Sequence, residues 1–209
     1  MDVKIQFFPT SVDYKVENDR VVVYIIGRTT DDKRICVIDN AYSPYFYVSS
    51  ENLAELEQRV KNIRIKEKES LLFTLSTRLE TKNYLGKEVK TLRINTNVPR
   101  AAKEFSKLLL DENYKVFEHD IGFLRKYQID NDIISFGLYE VIGEQTNSKI
   151  KADIILRKKE LHKLSEEIKK PRLLAIDIER LYKTYEKNNP VMMISFYGEE
   201  NSRKYGEQD

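Results

Sequence analysis

Leu173-Leu174-Ala175-Ile176-Asp177-Ile178-Glu179 is an apolar run interrupted near its end by two carboxylates. Bounded by Pro171 and leading into charged residues, it reads as a buried strand. Side chains alternate across a strand, so positions i and i+2 share a face. Asp177 and Glu179 are therefore expected to stand side by side. Two carboxylates that close repel unless a cation lies between them or one takes up a proton. A hard divalent ion, Mg2+ or Mn2+, suits such an all-oxygen pair. The plainer reading is a strand whose acids lie at its exposed end, and the spacing alone does not separate the two.

Composition sets outer limits. The 209 residues suffice for one large domain or two small ones, and a 41% hydrophobic fraction supports a real core. A net charge of +2 gives no global electrostatic case for nucleic acid. The single Cys36 excludes an internal disulfide and a cysteine-built metal site. The opening Met1-Asp2-Val3-Lys4 has no long apolar segment, so no signal peptide or membrane span is expected, and the expected location is cytoplasmic.

Working outward, residues 1–48 read as β-rich. Arg20 to Arg28 is a β-branched run, Asp31-Asp32-Lys33 a turn, and Arg34 to Ile38 a returning strand. Pro44-Tyr45-Phe46-Tyr47-Val48 is a further strand with proline at its start. Residues 49–130 alternate. Ser50 caps an expected helix over 51–62, Leu71 to Leu75 is a strand, Asn83 to Lys87 a turn, and Glu88 to Ile94 a strand. Asn97 is the expected cap of a helix over 98–112 with Pro99 in its first turn, followed by a strand over 114–118. With the strand at 45–48 this gives β-α-β-β-α-β, a ferredoxin-like subdomain in an α+β chain. RNA-recognition domains share that layout, but their aromatic-rich sheet signature is absent.

Residues 131–170 are expected to form a hairpin, from strands at 134–141 and 150–156, and a short helix striped by Leu161, Leu164 and Ile168. From Lys149 to Arg172 nine Lys/Arg face four Asp/Glu. Such a run is usually a solvated face; its functional reading is a non-specific contact to a DNA backbone. His119 is expected to be structural, since nothing nearby completes a metal set. Residues 171–209 hold the carboxylate strand, a loop and a second strand at 191–197.

The run from Pro171 to Glu179, followed by Leu181-Tyr182 and Pro190-Val191-Met192-Met193-Ile194-Ser195-Phe196, resembles the first exonuclease motif of family B DNA polymerases. Arg180 departs from the small or polar residue often found there. Phe117-Glu118-His119-Asp120-Ile121-Gly122-Phe123-Leu124-Arg125-Lys126-Tyr127 is similar to a second family segment. Phe7-Phe8-Pro9, Val12-Asp13-Tyr14, Gly27-Arg28 and Ser43 to Val48 look like the opening of the archaeal members.

The resemblance implies the start of a ribonuclease-H-like 3′→5′ exonuclease fold over 171–209, with Asp177 and Glu179 as catalytic metal ligands for Mg2+ or Mn2+. It also implies a DNA-directed DNA polymerase whose other acidic motifs fall outside these residues. The implied partners are single-stranded template DNA, primer-template DNA and the remainder of the polymerase chain, with no membrane.

The resemblance further implies template-uracil sensing by Tyr14, Pro44, Tyr45, Val98, Ile121 and Phe123, with Arg125 or Lys126 on the backbone. Gly122 stands where the family commonly has proline, and Lys126 where it often has arginine. A flipped base needs flat apolar walls, which Pro44, Val98 and Phe123 can supply, and main chain near Tyr45 and Ile121 can read its polar edge. A narrow pocket then excludes thymine by its methyl group, worth only ~1–3 kcal/mol. Two other readings stay open: a free-standing nucleic-acid-binding module or short subunit of a split polymerase, and a small metal-dependent nuclease drawing on Glu199, Glu200, Glu207 or Asp209. On the polymerase reading the 209 residues alone are expected to be catalytically inactive.

Overall fold

A computed structural model describes residues 2–67, 70–170, 174–180 and 191–198, in two compact units, Met1–Ile168 and Lys169–Asp209. In the first unit β1 (Asp2–Glu17) and β2 (Arg20–Thr29) form an antiparallel hairpin. Its two-residue turn, Asn18-Asp19, has φ of +50° and +56°. Positive φ at both positions is the type I′ geometry whose twist matches the flanking strands, and Asn and Asp tolerate it. β3 (Arg34–Asp39) returns along β2. The chain then runs through β4 (Tyr45–Ser49), α1 (Leu53–Asn62), β5 (Arg64–Glu67), β6 (Ser70–Tyr84), β7 (Lys87–Thr96), α2 (Pro99–Asp111), β8 (Lys115–Phe117) and α3 (Phe123–Asp130). β9 (Gly137–Gln145) and β10 (Ile154–Ile168) complete the unit.

Two sheets result. β1-β2-β3-β10-β9 closes a barrel, with β10 parallel to β3 and the other pairs antiparallel. The first three strands thus share one barrel with strands about 100 positions or more later, while β4, expected to belong with residues 1–48, joins the second sheet. Closure brings backbones unusually near: a Cβ on Gly27 would sit 2.3 Å from the Phe8 carbonyl oxygen, and one on Gly143 2.3 Å from that of Arg157. The second sheet runs β5-β6-β7-β4-β8. Setting aside edge strand β5, its chain order is the ferredoxin-like βαββαβ expected from the sequence. Phe46, Val48, Leu92, Ile94 and Val116 turn one face toward Leu56, Val60, Phe105 and Leu109 of the helices, in a core continuous with the barrel's Phe7, Val23, Ile25, Ile35, Tyr139 and Leu156.

Several local expectations change. The helix expected from Leu161, Leu164 and Ile168 is strand, the second half of β10. Its pairing with β9 shifts register between Lys158/Glu160, Lys163/Ser165 and Ser165/Ile168. Each irregularity breaks the period of two, so apolar residues fall three and four apart and imitate a helical stripe. The strand expected from 134 begins at Gly137. The segment before it holds α3, which had no apolar periodicity to announce it.

Asn52, not Ser50, caps α1, its side chain accepting from the Glu55 amide at 3.1 Å. Asn97 does not cap α2. It accepts from Phe73 N (3.0 Å) and donates to Leu71 O (2.7 Å) and Asp19 O (3.2 Å), tying the first hairpin to β6. Pro99 follows in the first turn of α2, where a missing N–H does no harm.

In the second unit β11 (Leu174–Arg180) pairs antiparallel with β12 (Val191–Gly198), setting Asp177 opposite Ser195 and Glu179 opposite Met193. The strand expected to be buried is exposed throughout, with Leu174, Ile176 and Ile178 each more than half accessible. Its sheet has two strands, and among the described residues no second layer covers it. Pro171 to Leu173, Leu181-Tyr182, Pro190, Glu199, Glu200, Glu207 and Asp209 lie outside the described residues.

Candidate nucleic-acid interface

The Pro44 strand and the segment before α3 converge on one cleft of about 360 Å³. That is large enough for a small-molecule site, which starts at roughly 300 Å³. Of the residues singled out in the sequence, Pro44, Tyr45, Ile121, Phe123 and Lys126 line it, joined by Pro99, Ala102, Lys103, Glu118, His119 and Asp120. The α2 and loop residues had no sequence signal as site residues; their role follows from α2 packing beside β4. Glu118 adopts φ +55°, which turns the chain sharply into the 119–122 segment. Among the described residues neither main-chain group of Ile121, which lines the cleft, is hydrogen-bonded.

Lys126 is not the exposed cation a phosphate contact requires. It is 5% accessible, donates to Tyr45 O (3.0 Å) and Glu118 O (3.3 Å), and pairs with the Glu118 carboxylate at 2.9 Å. Burial lowers its pKa, only partly offset by Glu118. Its ammonium also lies 3.9 Å from the Tyr45 ring centre, and the Arg93 guanidinium 3.6 Å from the same ring. Lys126 therefore braces the cleft wall and occupies the Tyr45 carbonyl expected to read a base. Arg125, beside it on α3, is exposed.

Tyr14 and Val98 stand apart from the lining. Tyr14 on β1 packs edge-on against Phe123, ring centres 4.9 Å apart, and so orients that wall from behind. Val98 is 5% accessible within the hydrophobic core, one residue before α2. Tyr42 and Tyr45 both donate to Asp130, at 2.7 and 2.8 Å. Burial, then that carboxylate, raises both phenols above their ordinary range, so they stay neutral.

A buried network anchors α3. Tyr127 donates to Asp39 at 2.9 Å, Asp39 pairs with Lys158 of β10, and Lys158 donates to Asn131 at 3.1 Å. Burial pushes the Asp39 carboxyl up, but Lys158, the Ala41 amide and Tyr127 more than reverse it, leaving it below its usual value. Lys159 likewise pairs with Asp2 and Glu144, and Lys163 with Asp132. Three cations of the basic 149–172 run thus have carboxylate partners within the unit.

Asp177 and Glu179 lie two apart on β11, on one face of a regularly paired stretch. Both are exposed, and Asp177 Oδ1 accepts from Ile178 N at 3.0 Å. All-oxygen donors suit a hard divalent ion. Among the described residues no third Asp, Glu, His or Cys joins them. Among the same residues no helix is long and apolar enough to cross a membrane.

Comparisons with known proteins agree with this geometry. The model of the DNA polymerase family B exonuclease domain matches residues 114–208. DNA polymerase 2 of Aeropyrum pernix is 28% identical over 196 residues, 88% of this chain and 24% of that protein. DNA polymerase 3 of Saccharolobus shibatae is 27% identical over 95% of this chain and 26% of its own length. The family B DNA polymerase of the hyperthermophilic archaeon Pyrobaculum calidifontis superposes with a TM-score of 0.72 at 20% identity, over 93% of this chain and 26% of that one, which shows a shared fold. The chain spans about a quarter of the length of these relatives. Family model, relatives and fold agree: residues 114–208 match the exonuclease domain of family B DNA polymerases, and the chain is similar over about nine-tenths of its length to archaeal members of that family.

Proposed function

We propose that this chain is the template-reading part and the opening of the 3′→5′ proofreading domain of a DNA-directed DNA polymerase, and that its cleft takes a flipped uracil from single-stranded template DNA. The observation that carries this reading is the cleft itself. Pro44 and Phe123 give it apolar walls, and Ile121, whose main chain is unbonded among the described residues, also lines it. A flipped base needs those surfaces, and a pocket too narrow for a methyl group discriminates against thymine. Arg125 is the cation for the template backbone; Lys126 and Tyr14 position the walls, and Val98 supports them from the core. The test is a competition between uracil- and thymine-containing single strands, in which equal potency would reject the reading.

Asp177 and Glu179 are read as catalytic carboxylates that hold Mg2+ or Mn2+ together with acids beyond the described residues. When bound, such a metal pair activates water and stabilises the leaving oxygen of an excised nucleotide. The chain's own contribution is two negative charges fixed on one strand face by the β12 pairing. Ile176, Ile178, Ile194 and Phe196 are about half exposed or more, as expected of strands awaiting the rest of a sheet, which makes the remainder of the polymerase chain the primary partner. On this reading the 209 residues alone neither degrade nor extend DNA. Nuclease activity that vanished in Asp177→Ala would instead favour a small independent nuclease.

A further inference from the structure

The ferredoxin-like sheet has a second face, opposite its helices, and the proposed template cleft leaves most of it unused. Register places Tyr47 opposite both Phe117 and Arg93, Arg93 opposite Arg78, Thr91 opposite Glu80, Val89 opposite Lys82, and Lys87 opposite Tyr84, so these side chains share that face. A cleft of about 250 Å³ opens there between Tyr47, Lys82, Tyr84, Val89 and Phe117. Tyr84 meets Phe117 edge-on at 5.1 Å and is 40% accessible, whereas Tyr47 is a buried floor. Sequence inspection found no aromatic sheet signature because these rings come from three separate strands.

Cations outnumber carboxylates on this face, although Glu118, paired with Lys126, also lines the cleft. Arg78, Lys82, Lys87, Arg93 and Lys115 share it with Glu80, whose carboxylate lies 3.2 to 3.8 Å from Lys82, Arg78 and Arg93. Lys115 has no carboxylate partner among the described residues. Its ammonium rests 4.3 Å from the Tyr84 ring centre and 5.4 Å from that of Phe117. An exposed tyrosine beside a half-buried phenylalanine, under an exposed cation with no carboxylate partner among the described residues, suits a stacked base with its phosphate alongside.

We infer that this open sheet face is a second single-stranded DNA subsite, where a base stacks on Tyr84 and Phe117 and Lys115 moves from the rings to the adjoining phosphate. The choice of DNA as occupant rests on the template-strand reading; the stacking surface does not. Because the strand probed contains no uracil, failure of uracil reading in the other cleft would leave this test intact.

The experiment titrates the 209-residue protein with labelled oligothymidylate across a salt series, with an oligocytidylate RNA arm. Tyr84→Ala is expected to weaken DNA binding roughly tenfold and Tyr84→Phe to restore it, as loss and return of a stacking ring require. Lys115→Ala is expected to lower the slope of log affinity against log salt by about 0.7, the value for one phosphate contact to a single strand. Both variants alter exposed side chains, and circular dichroism would verify their folding. Affinities within twofold of wild type for correctly folded Tyr84→Ala, with an unchanged salt slope for Lys115→Ala, would overturn the proposal. So would binding confined to the RNA strand.

Discussion

The two candidate sites are built in opposite ways. The cleft of the first unit is fixed from behind: Phe123 leans on Tyr14, Tyr45 is held by Asp130, Arg93 and Lys126, and α3 is pinned through Asp39 and Lys158. The carboxylates of β11 have an exposed two-stranded ladder and little else among the described residues. Preorganisation is therefore a property of the first site alone, and each region should respond differently to mutation. In the first unit, substitutions should be felt as stability; in the second, as lost ion binding with stability unchanged.

The sharpest way to break that contrast is Asp39→Asn. It leaves Lys158 largely buried without its carboxylate, and losing one partner of a buried pair costs about 3–5 kcal/mol. Urea denaturation monitored on the first unit should show the loss; a change below about 1 kcal/mol would mean the network does not hold α3. Next in size is Gly27→Ala, whose new methyl would meet the Phe8 carbonyl at 2.3 Å. Overpacking of this kind costs about 1–3 kcal/mol, and an unchanged melting midpoint would show that the barrel relaxes freely.

A smaller effect is expected in acid. The Arg34 side chain, then the Arg34 amide, holds the Asp153 carboxyl at about 2, below its ordinary 3.8. A depressed acid contributes stability that is complete above its unfolded value and is lost as pH falls through its folded value. Stability against pH should therefore decline between 3.8 and about 2, and Asp153→Asn should flatten part of that limb. An identical acid limb in the variant would remove Asp153 from the account. Smallest of all is the effect of Asp177→Ala with Glu179→Ala on folding: within about 0.5 kcal/mol, as for exposed sites. The same double change should abolish whatever Mn2+ binding the wild type shows by electron paramagnetic resonance. Retained binding would place the ion elsewhere.

Much of this was legible in the sequence where local pattern and tertiary role coincide. The β-branched hairpin of β2 and β3, the βαββαβ order and the presence of strands at β11 and β12 follow from apolar pattern and turn chemistry, whereas β1 and its pairing with β2 were not read. Pro44, Tyr45, Ile121 and Phe123 were expected as site residues from motif resemblance, and they line one cleft. What failed failed for physical reasons. Bulges in β10 disguised a strand as a helix. Lys126 reads as a surface cation in a basic pair, and only the proximity of Glu118 and the Tyr45 carbonyl shows it to be interior. Val98 is apolar whether it lines a pocket or a core, so composition could not place it. Barrel closure between β3 and β10 joins residues over 100 apart, beyond any local signal.

The central claim, that the Pro44–Phe123 cleft reads template uracil, is tested most directly by one competition titration. Single strands identical except for one uracil or thymine would displace a labelled strand from wild type and from Ala102→Phe, a change that fills the cleft from α2. Val98→Phe is unsuitable, because Val98 is core and the variant would report overpacking. The account predicts roughly 10- to 200-fold preference for uracil in the wild type, the range available from excluding one methyl group. It also predicts collapse of that preference in Ala102→Phe, with thymine-strand affinity little changed. Equal affinity for both strands in the wild type, or a preference that survives Ala102→Phe undiminished, would contradict it.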